Sequence, residues 1–190
     1  MKRIIAAAFI VSALFAFQNQ ANAAGQVSFF GGYLNPGGLS PANVRSGLDF
    51  HGTALYGARL EYDFLKIFGV EQNVAFSPRI FEGTIFPNSA NGADARGFLY
   101  SSNFVVNIPM GHLVPFASGG LGLVHPWNID PNPLGTKFAA NYGGGVKLDR
   151  LAGPLGLRFD ARGWTVPDYF GDTLNILEVS GGVTLSWGKK

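Results

Sequence analysis

The chain has 190 residues, with 14 basic and 12 acidic side chains and no cysteine. This length suits one domain rather than two. The lack of cysteine excludes disulfides, thiolate catalysis and a lipid-modified N-terminal cysteine. Charged residues make up 14% of the chain, well below the ~25% of an ordinary soluble domain, whereas the 47% of hydrophobic residues is ordinary. The composition therefore indicates a shortage of charge rather than an excess of apolar residues.

The first 23 residues have the three parts of a secretory signal peptide. A basic start at Lys2 and Arg3 precedes an apolar run over residues 4–17, and an A-x-A cleavage site ends at Ala23. The run is too short for a transmembrane helix, so we expect the signal to be removed and one domain to span residues 24–190. Without the signal, 12 basic and 12 acidic residues remain. This zero net charge, with no basic run, gives no support for nucleic-acid binding.

Alternation of polar and apolar residues predicts β-strands in the rest of the chain. In residues 50–62 the even positions are uncharged and mostly apolar, whereas the odd positions include Arg59 and Glu61. Successive strand residues point to opposite faces, so this stretch has one apolar and one polar side. The next strand follows the same pattern, with Gln72 as the one poor fit on its apolar side. Eight strands are predicted, over residues 26–33, 50–62, 67–77, 97–108, 113–124, 137–148, 154–164 and 174–187.

The connections between the predicted strands alternate in length. Three are tight turns, at residues 63–66, 109–112 and 149–153. Four are long and rich in Pro, Gly, Asn and Asp, at residues 34–49, 78–96, 125–136 and 165–173. Short periplasmic turns and long outer loops on an even number of strands are typical of outer-membrane barrels. The sequence therefore predicts an all-β fold, an eight-stranded antiparallel up-and-down transmembrane β-barrel after a cleaved signal peptide.

The charged residues inside the predicted strands all fall on the polar face. Apart from Lys137, the first residue of its strand, they are Arg59, Glu61, Glu71, Lys147, Arg158, Asp160, Arg162 and Glu178. An Arg or Lys facing lipid near the midplane costs about 2–4 kcal/mol, so this face should line the lumen. A soluble ligand-binding barrel would instead turn these charges outward. An eight-stranded barrel is just wide enough for side chains to fill it, so we expect an internal network of ion pairs and no continuous water channel.

Two segments resemble a known family. Ser180, Gly182, Leu185 and Trp187 follow the polar, Gly, hydrophobic and aromatic spacing of the C-terminal strand signal that the outer-membrane assembly machinery recognises. Residues 115–122 resemble the Pro-aromatic and Gly-rich strand common in small barrels of the outer-membrane protein A/X type. Together with the eight strands, this resemblance covers nearly all of the chain after the signal.

The resemblance implies an integral protein of the bacterial outer membrane with a structural, adhesive or defence role. The partners it implies are outer-membrane lipids and lipopolysaccharide, the barrel assembly machinery and periplasmic chaperones, and it does not specify a surface partner. Some larger relatives carry a peptidoglycan-binding domain after the barrel. This chain ends soon after Trp187, so we expect no such tether.

Patterns for catalysis or metal binding are weak. A few small barrels modify lipid A with a His, a Ser and an acidic residue near the outer rim. His51 is the histidine best placed for this role, but no His-x-Ser arrangement is present. Asp130, Asp168 and Asp172 are predicted in outer loops without a recognised metal-binding spacing. We predict no catalytic residue, metal or cofactor, and the alternatives are a lipid A-modifying enzyme and a narrow pore.

One predicted outer loop is unusually apolar. It contains Ile80, Phe81, Ile85 and Phe86 among Gly and Asn residues. Exposed apolar patches mark contact sites, so we expect this loop patch to pack over the barrel mouth, contact lipid A or bind a partner. The prediction for the whole chain is a non-enzymatic barrel that contributes to envelope integrity or to surface interaction through its outer loops.

Overall fold

A computed structural model describes residues 24–37, 52–65, 67–81, 95–127, 135–169 and 172–188. Its strands are β1 (Ala24–Gly37), β2 (Thr53–Asp63), β3 (Phe68–Phe81), β4 (Ala95–Asn107), β5 (Leu113–Trp127), β6 (Lys137–Ala152), β7 (Leu155–Tyr169) and β8 (Asp172–Trp187). Each strand pairs antiparallel with the next, and β1 pairs with β8, so the sheet closes into a barrel. The predicted fold is confirmed. The described residues contain no helix that is long and apolar enough to cross a membrane.

Residue alternation sets which side of the barrel each side chain faces. In β2 the odd positions Arg59 and Glu61 are each 1% exposed, whereas the even positions Tyr56 and Leu60 are 52% and 48% exposed. At this level of β2 polar residues therefore face the interior, and large apolar residues cover the outside. A soluble barrel would show the reverse arrangement, because its core is apolar.

Six strands extend further toward the long connections than the sequence predicted, whereas β6 begins at the predicted residue and β2 begins at Thr53 instead of residue 50. The connection predicted over residues 165–173 is wrong as a long loop, because β7 and β8 continue to the pair Tyr169–Asp172. Thr165 donates a hydrogen bond of 2.8 Å to the Oδ1 atom of Asn175, its partner across the ladder. Polar residues look like a loop in sequence, but the ladder bonds come from the backbone and do not require apolar side chains.

The interior of the barrel has two layers. A polar layer lies toward the short turns and in the middle. An apolar layer lies toward the long connections, and each of its side chains is 0–5% exposed. The apolar layer consists of Phe30, Leu34, Leu55, Ala75, Ile80, Leu99, Val124, Ala139, Trp164, Val166, Leu174 and Ile176. The predicted signal peptide and the candidate His51 lie outside the described residues.

Candidate functional site in the barrel lumen

The structure places all eight predicted lumen charges inside the barrel. They lie on β2, β3, β6, β7 and β8, and each residue is 0–4% exposed. Every one takes part in an ion pair, and the pairs connect all eight groups into one network. With four basic and four acidic groups, the network carries no net charge. Such balance is required because an unpaired buried charge is strongly destabilising.

Arg158 is the centre of the network. Its Nη1 atom lies 3.0 Å from Oε2 of Glu61, and its Nη2 atom lies 2.6 Å from Oε2 of Glu71. Its Nε atom lies 3.0 Å from Oδ2 of Asp160. The guanidinium carbon is also 4.3 Å from the centroid of the Phe116 ring. Because a guanidinium presents five N–H donors in one plane, this single side chain ties together β2, β3, β5 and β7.

Asp160 binds three arginines. Arg59 Nη1 donates to Asp160 Oδ2 at 3.0 Å, and Arg162 Nη2 donates to Oδ1 at 2.9 Å, in addition to the contact with Arg158. Arg162 also makes two parallel bonds to Glu71, of 2.8 and 3.1 Å. This bidentate contact fixes the orientation of the guanidinium relative to the carboxylate as well as their distance. The arginines can lie together only because carboxylates separate them.

Further buried polar groups, which the sequence did not predict, adjoin this network of eight toward the short turns. Lys147 pairs with Glu61 and donates a hydrogen bond of 2.7 Å to Oδ1 of Asn107. Asn107 donates in turn to Oδ1 of Asp63 at 3.1 Å. Asp63 and Asp149 are 4% and 6% exposed. Their predicted placement in turns is wrong, and the signal that could have found them is that both continue the inward alternation of their strands.

Inward-facing glycines make room for the arginines. Gly143 lies opposite Arg162 in the β6–β7 ladder, and Gly145 lies opposite Asp160. A Cβ atom at Gly143 or Gly145 would overlap the carbonyl oxygen of Ala161 or of Phe159. The glycine run therefore allows β6 to pack closely against β7.

These features match a protein family. A family model for the outer membrane protein beta-barrel domain matches residues 7–182. The chain belongs to this outer-membrane barrel family. It is therefore a protein of the bacterial outer membrane, and the apolar side chains on the outside of its barrel face membrane lipid.

Solved structures share the fold of this outer-membrane barrel at low sequence identity. Neisserial surface protein A gives a TM-score of 0.59 with 10% identity, covering 88% of this chain and 99% of that chain. The N-terminal barrel domain of OprF from Pseudomonas aeruginosa gives 0.57 with 16% identity, covering 90% and 100%. OprG from Pseudomonas aeruginosa gives 0.55 with 12% identity, covering 90% and 98%. No curated protein matches the chain by sequence.

Two aromatic clusters lie on the outer surface of the barrel at different heights. The lower cluster, nearer the short turns, contains Phe64, Phe68 and Phe104, with ring centroids 5.6–6.3 Å apart in the two contacts. The upper cluster contains Tyr56, Phe76 and Trp127, with centroids 5.1–5.3 Å apart. Aromatic rings favour the two membrane interfaces, so these clusters bound the apolar band of the outer-membrane barrel.

The predicted loop patch is partly wrong. Ile80 lies in β3 rather than in a loop, points into the apolar layer and is 1% exposed. The reason is that β3 continues to Phe81. Ile85, Phe86 and the side chain of Phe81 lie outside the described residues.

The predicted assembly signal lies on both faces of β8. Ser180 and Gly182 face the lumen. Leu185 and Trp187 face the membrane and are 39% and 51% exposed. The spacing therefore presents the hydrophobic and aromatic positions of the signal on the surface of the strand.

The two histidines that the structure describes do not contact a serine and an acidic side chain together. His112 Nδ1 lies 3.0 Å from the carbonyl oxygen of Asp149, and His125 Nδ1 lies 2.9 Å from Oγ1 of Thr136. His125 is inside β5, so its predicted position at the start of a loop is wrong. Among the residues that the structure describes, no group of three or more His, Cys, Asp or Glu could hold a metal ion.

The candidate metal-binding acids are not gathered in one described loop. Asp168 and Asp172 belong to β7 and β8 rather than to a loop, as the long strands require. Asp130 lies outside the described residues. The predicted placement of Asp168 and Asp172 in an outer loop is therefore wrong.

Proposed function

We propose that this chain is a non-catalytic, sealed barrel that supports its outer connections as elements of surface interaction or envelope integrity. The observation that carries the proposal is the double filling of the lumen. A neutral network of ion pairs fills the middle, and an apolar layer fills the end toward the long connections, with side chains 0–5% exposed. Ions passing through would have to displace both layers.

The same filling argues against the narrow pore. Water and ions require a continuous polar path, and the side chains of the apolar layer carry no charge. Breaking the network below it would also leave buried charges unpaired. The barrel therefore serves better as a rigid support than as a conduit.

The lipid A-modifying alternative requires a nucleophile, a base and a group that orients the base. The contacts of His112 with a backbone carbonyl and of His125 with a threonine do not supply that arrangement. We therefore propose no catalysis. The partners we expect are membrane lipids and lipopolysaccharide around the barrel, with the assembly machinery and periplasmic chaperones on the route to the membrane.

The test of the sealed barrel is single-channel recording of the refolded protein in a planar bilayer. The wild type should give no discrete conductance steps. The conductance of the wild type is compared with that of a variant carrying Leu55→Ser, Leu99→Ser and Ile176→Ser, which introduces hydroxyl groups into the apolar layer. The shift of the variant's gel band on boiling checks that it is folded. Steady conductance by the wild type would replace the proposal with the narrow pore.

The test of the role in cells uses a strain that lacks the protein. Sensitivity to detergent should rise in that strain, and lipid A examined by mass spectrometry should stay unchanged. Complementation with a chain whose residues 82–94 are replaced by a short Gly-Ser linker separates the two roles. Restored resistance assigns the role to the barrel, and lost resistance assigns it to that connection. A changed lipid A mass that depends on His51 would establish the enzyme instead.

A further inference from the structure

Gln72 points away from the lumen at a height where the barrel faces lipid. On β3 it lies four residues from Phe68 in the lower aromatic cluster and four residues from Phe76 in the upper one. At about 3.3 Å per residue on a strand tilted by roughly 40°, each interval spans about 10 Å of depth. Gln72 therefore lies near the middle of the apolar band.

Two neighbours on β4 bind the carboxamide of Gln72. The Tyr100 hydroxyl donates to Gln72 Oε1 at 2.6 Å, and Gln72 Nε2 donates to Oγ of Ser102 at 2.9 Å. Ser102 lies directly opposite Gln72 in the β3–β4 ladder. A primary amide has two N–H donors and two acceptor sites. These two contacts use one of each, so one donor and one acceptor site stay available for a further partner.

A lipid-facing carboxamide at this depth is costly. Hydrocarbon chains neither donate nor accept hydrogen bonds, so the remaining amide sites lose the bonds that water would provide. Polar side chains within membranes instead find polar partners on neighbouring segments. An outward Gln72 therefore indicates a contact surface rather than a surface covered by lipid alone.

The surface around Gln72 is suited to a protein contact. Leu60, its partner on β2, and Phe104 on β4 are 48% and 47% exposed. Beside them lies an apolar groove of about 350 Å³. Its outward walls include Phe29, Tyr56, Phe76 and Phe98, with Ala58 and Val74 between them. This groove is shallow, open and free of charge, so it can accept apolar side chains from another barrel.

We propose that this face, formed by Gln72, Ser102 and the adjacent groove, binds a second copy of this chain within the membrane. A two-fold axis along the membrane normal near Gln72 would bring the two carboxamides into a cyclic pair. Each amide would donate its second N–H to the other's oxygen, because a primary amide is its own complement. The same patch on both subunits is also the arrangement that a two-fold dimer requires.

The experiment uses single cysteines, because the chain has none of its own. Leu60→Cys places a thiol beside Gln72. Ala161→Cys is the matched control on the opposite side of the barrel, since Ala161 is exposed on β7 next to Asp160 and so lies at the height of the network. The full chain is refolded into lipid vesicles and treated with a short bis-maleimide. Leu60→Cys should give a cross-linked dimer, and Ala161→Cys should not.

Adding Gln72→Leu to Leu60→Cys tests the carboxamide pair itself. Two lost hydrogen bonds of the strength measured in membranes should weaken dimerisation by roughly 5- to 10-fold. The boiled and unboiled gel bands should still differ, because leucine is favourable on the lipid face. Equal cross-linking from both cysteines, a monomer at every lipid-to-protein ratio, or a dimer undiminished by Gln72→Leu would overturn the proposal. A monomer that retains a lipid only when Gln72 is present would assign this face to lipid binding instead.

Discussion

The indole Nε1 of Trp164 donates a hydrogen bond of 2.9 Å to Oε2 of Glu178, and this contact joins the two layers of the lumen. Trp164 is fully buried in the apolar layer. Glu178 belongs to the network, where Arg59 and Ser180 donate to its other carboxylate oxygen. Both carboxylate oxygens of Glu178 therefore accept hydrogen bonds at the boundary between the charged network and the apolar layer.

Replacing Trp164 with Phe should destabilise the barrel by about 1.5–3 kcal/mol, because the substitution keeps a ring in the apolar layer but removes a hydrogen bond to a charged group. The measurement is urea unfolding in detergent micelles, followed by the loss of the folded gel band. Trp127→Phe is the control, since Trp127 contacts Phe76 on the outer surface through its ring. Equal losses from the two variants would show that the bond to Glu178 contributes nothing.

The fold could be predicted because charge and alternation agree in every predicted strand that carries a charge. Residues such as Arg59, Glu71 and Asp160 mark the inward face of their strands without any knowledge of contacts. Their pairing could not be predicted in the same way. Arg158 and Glu61 are separated by 97 positions in sequence and meet only because the closed barrel brings β7 and β2 across the lumen.

The apolar layer and the outer strand ends could not be predicted from the same pattern. Leu99 and Trp164 lie on the face that elsewhere carries charge, and alternation assigns a face without stating what fills it. Thr165 looks like a loop residue, yet it pairs with Asn175 across β7 and β8. Where a strand extends beyond the membrane, its outward residues need not be apolar. The alternation of polar and apolar residues therefore no longer indicates where the strand ends.

Replacing Arg158 with Leu should cost about 3–5 kcal/mol, since it leaves three buried carboxylates with one basic partner fewer. Urea unfolding in micelles measures the loss. Adding Glu61→Gln restores the charge balance, so the double variant should lose less than the sum of the two single variants. Arg96→Leu, at an exposed position in β4, should change stability by no more than about 0.5 kcal/mol. Additive losses within about 0.5 kcal/mol would contradict a connected network.

Gly143→Val should prevent or strongly reduce folding, because its Cβ would overlap the backbone of β7 beside Arg162. The matched control is Gly119→Val in β5. Gly119 faces the membrane, and a Cβ atom there would meet nothing within 4 Å, so valine should be tolerated and should suit the strand. The yield of the heat-sensitive folded band after refolding compares the two. If both variants refold alike, inward glycines do not create the space that the arginines occupy.

Trp187→Ala should reduce the amount of folded barrel in the outer membrane of cells while changing refolding of the purified protein much less. The reason is that Trp187 is the aromatic position of the predicted assembly signal and is 51% exposed on the membrane face of β8. Val179→Ala is the matched control, because Val179 is 53% exposed on the same face of the same strand and lies before the signal. The readout is the heat-shifting band in the outer-membrane fraction beside the refolding yield in micelles. If Trp187→Ala lowers both quantities equally, the residue stabilises the barrel and is not a recognition signal.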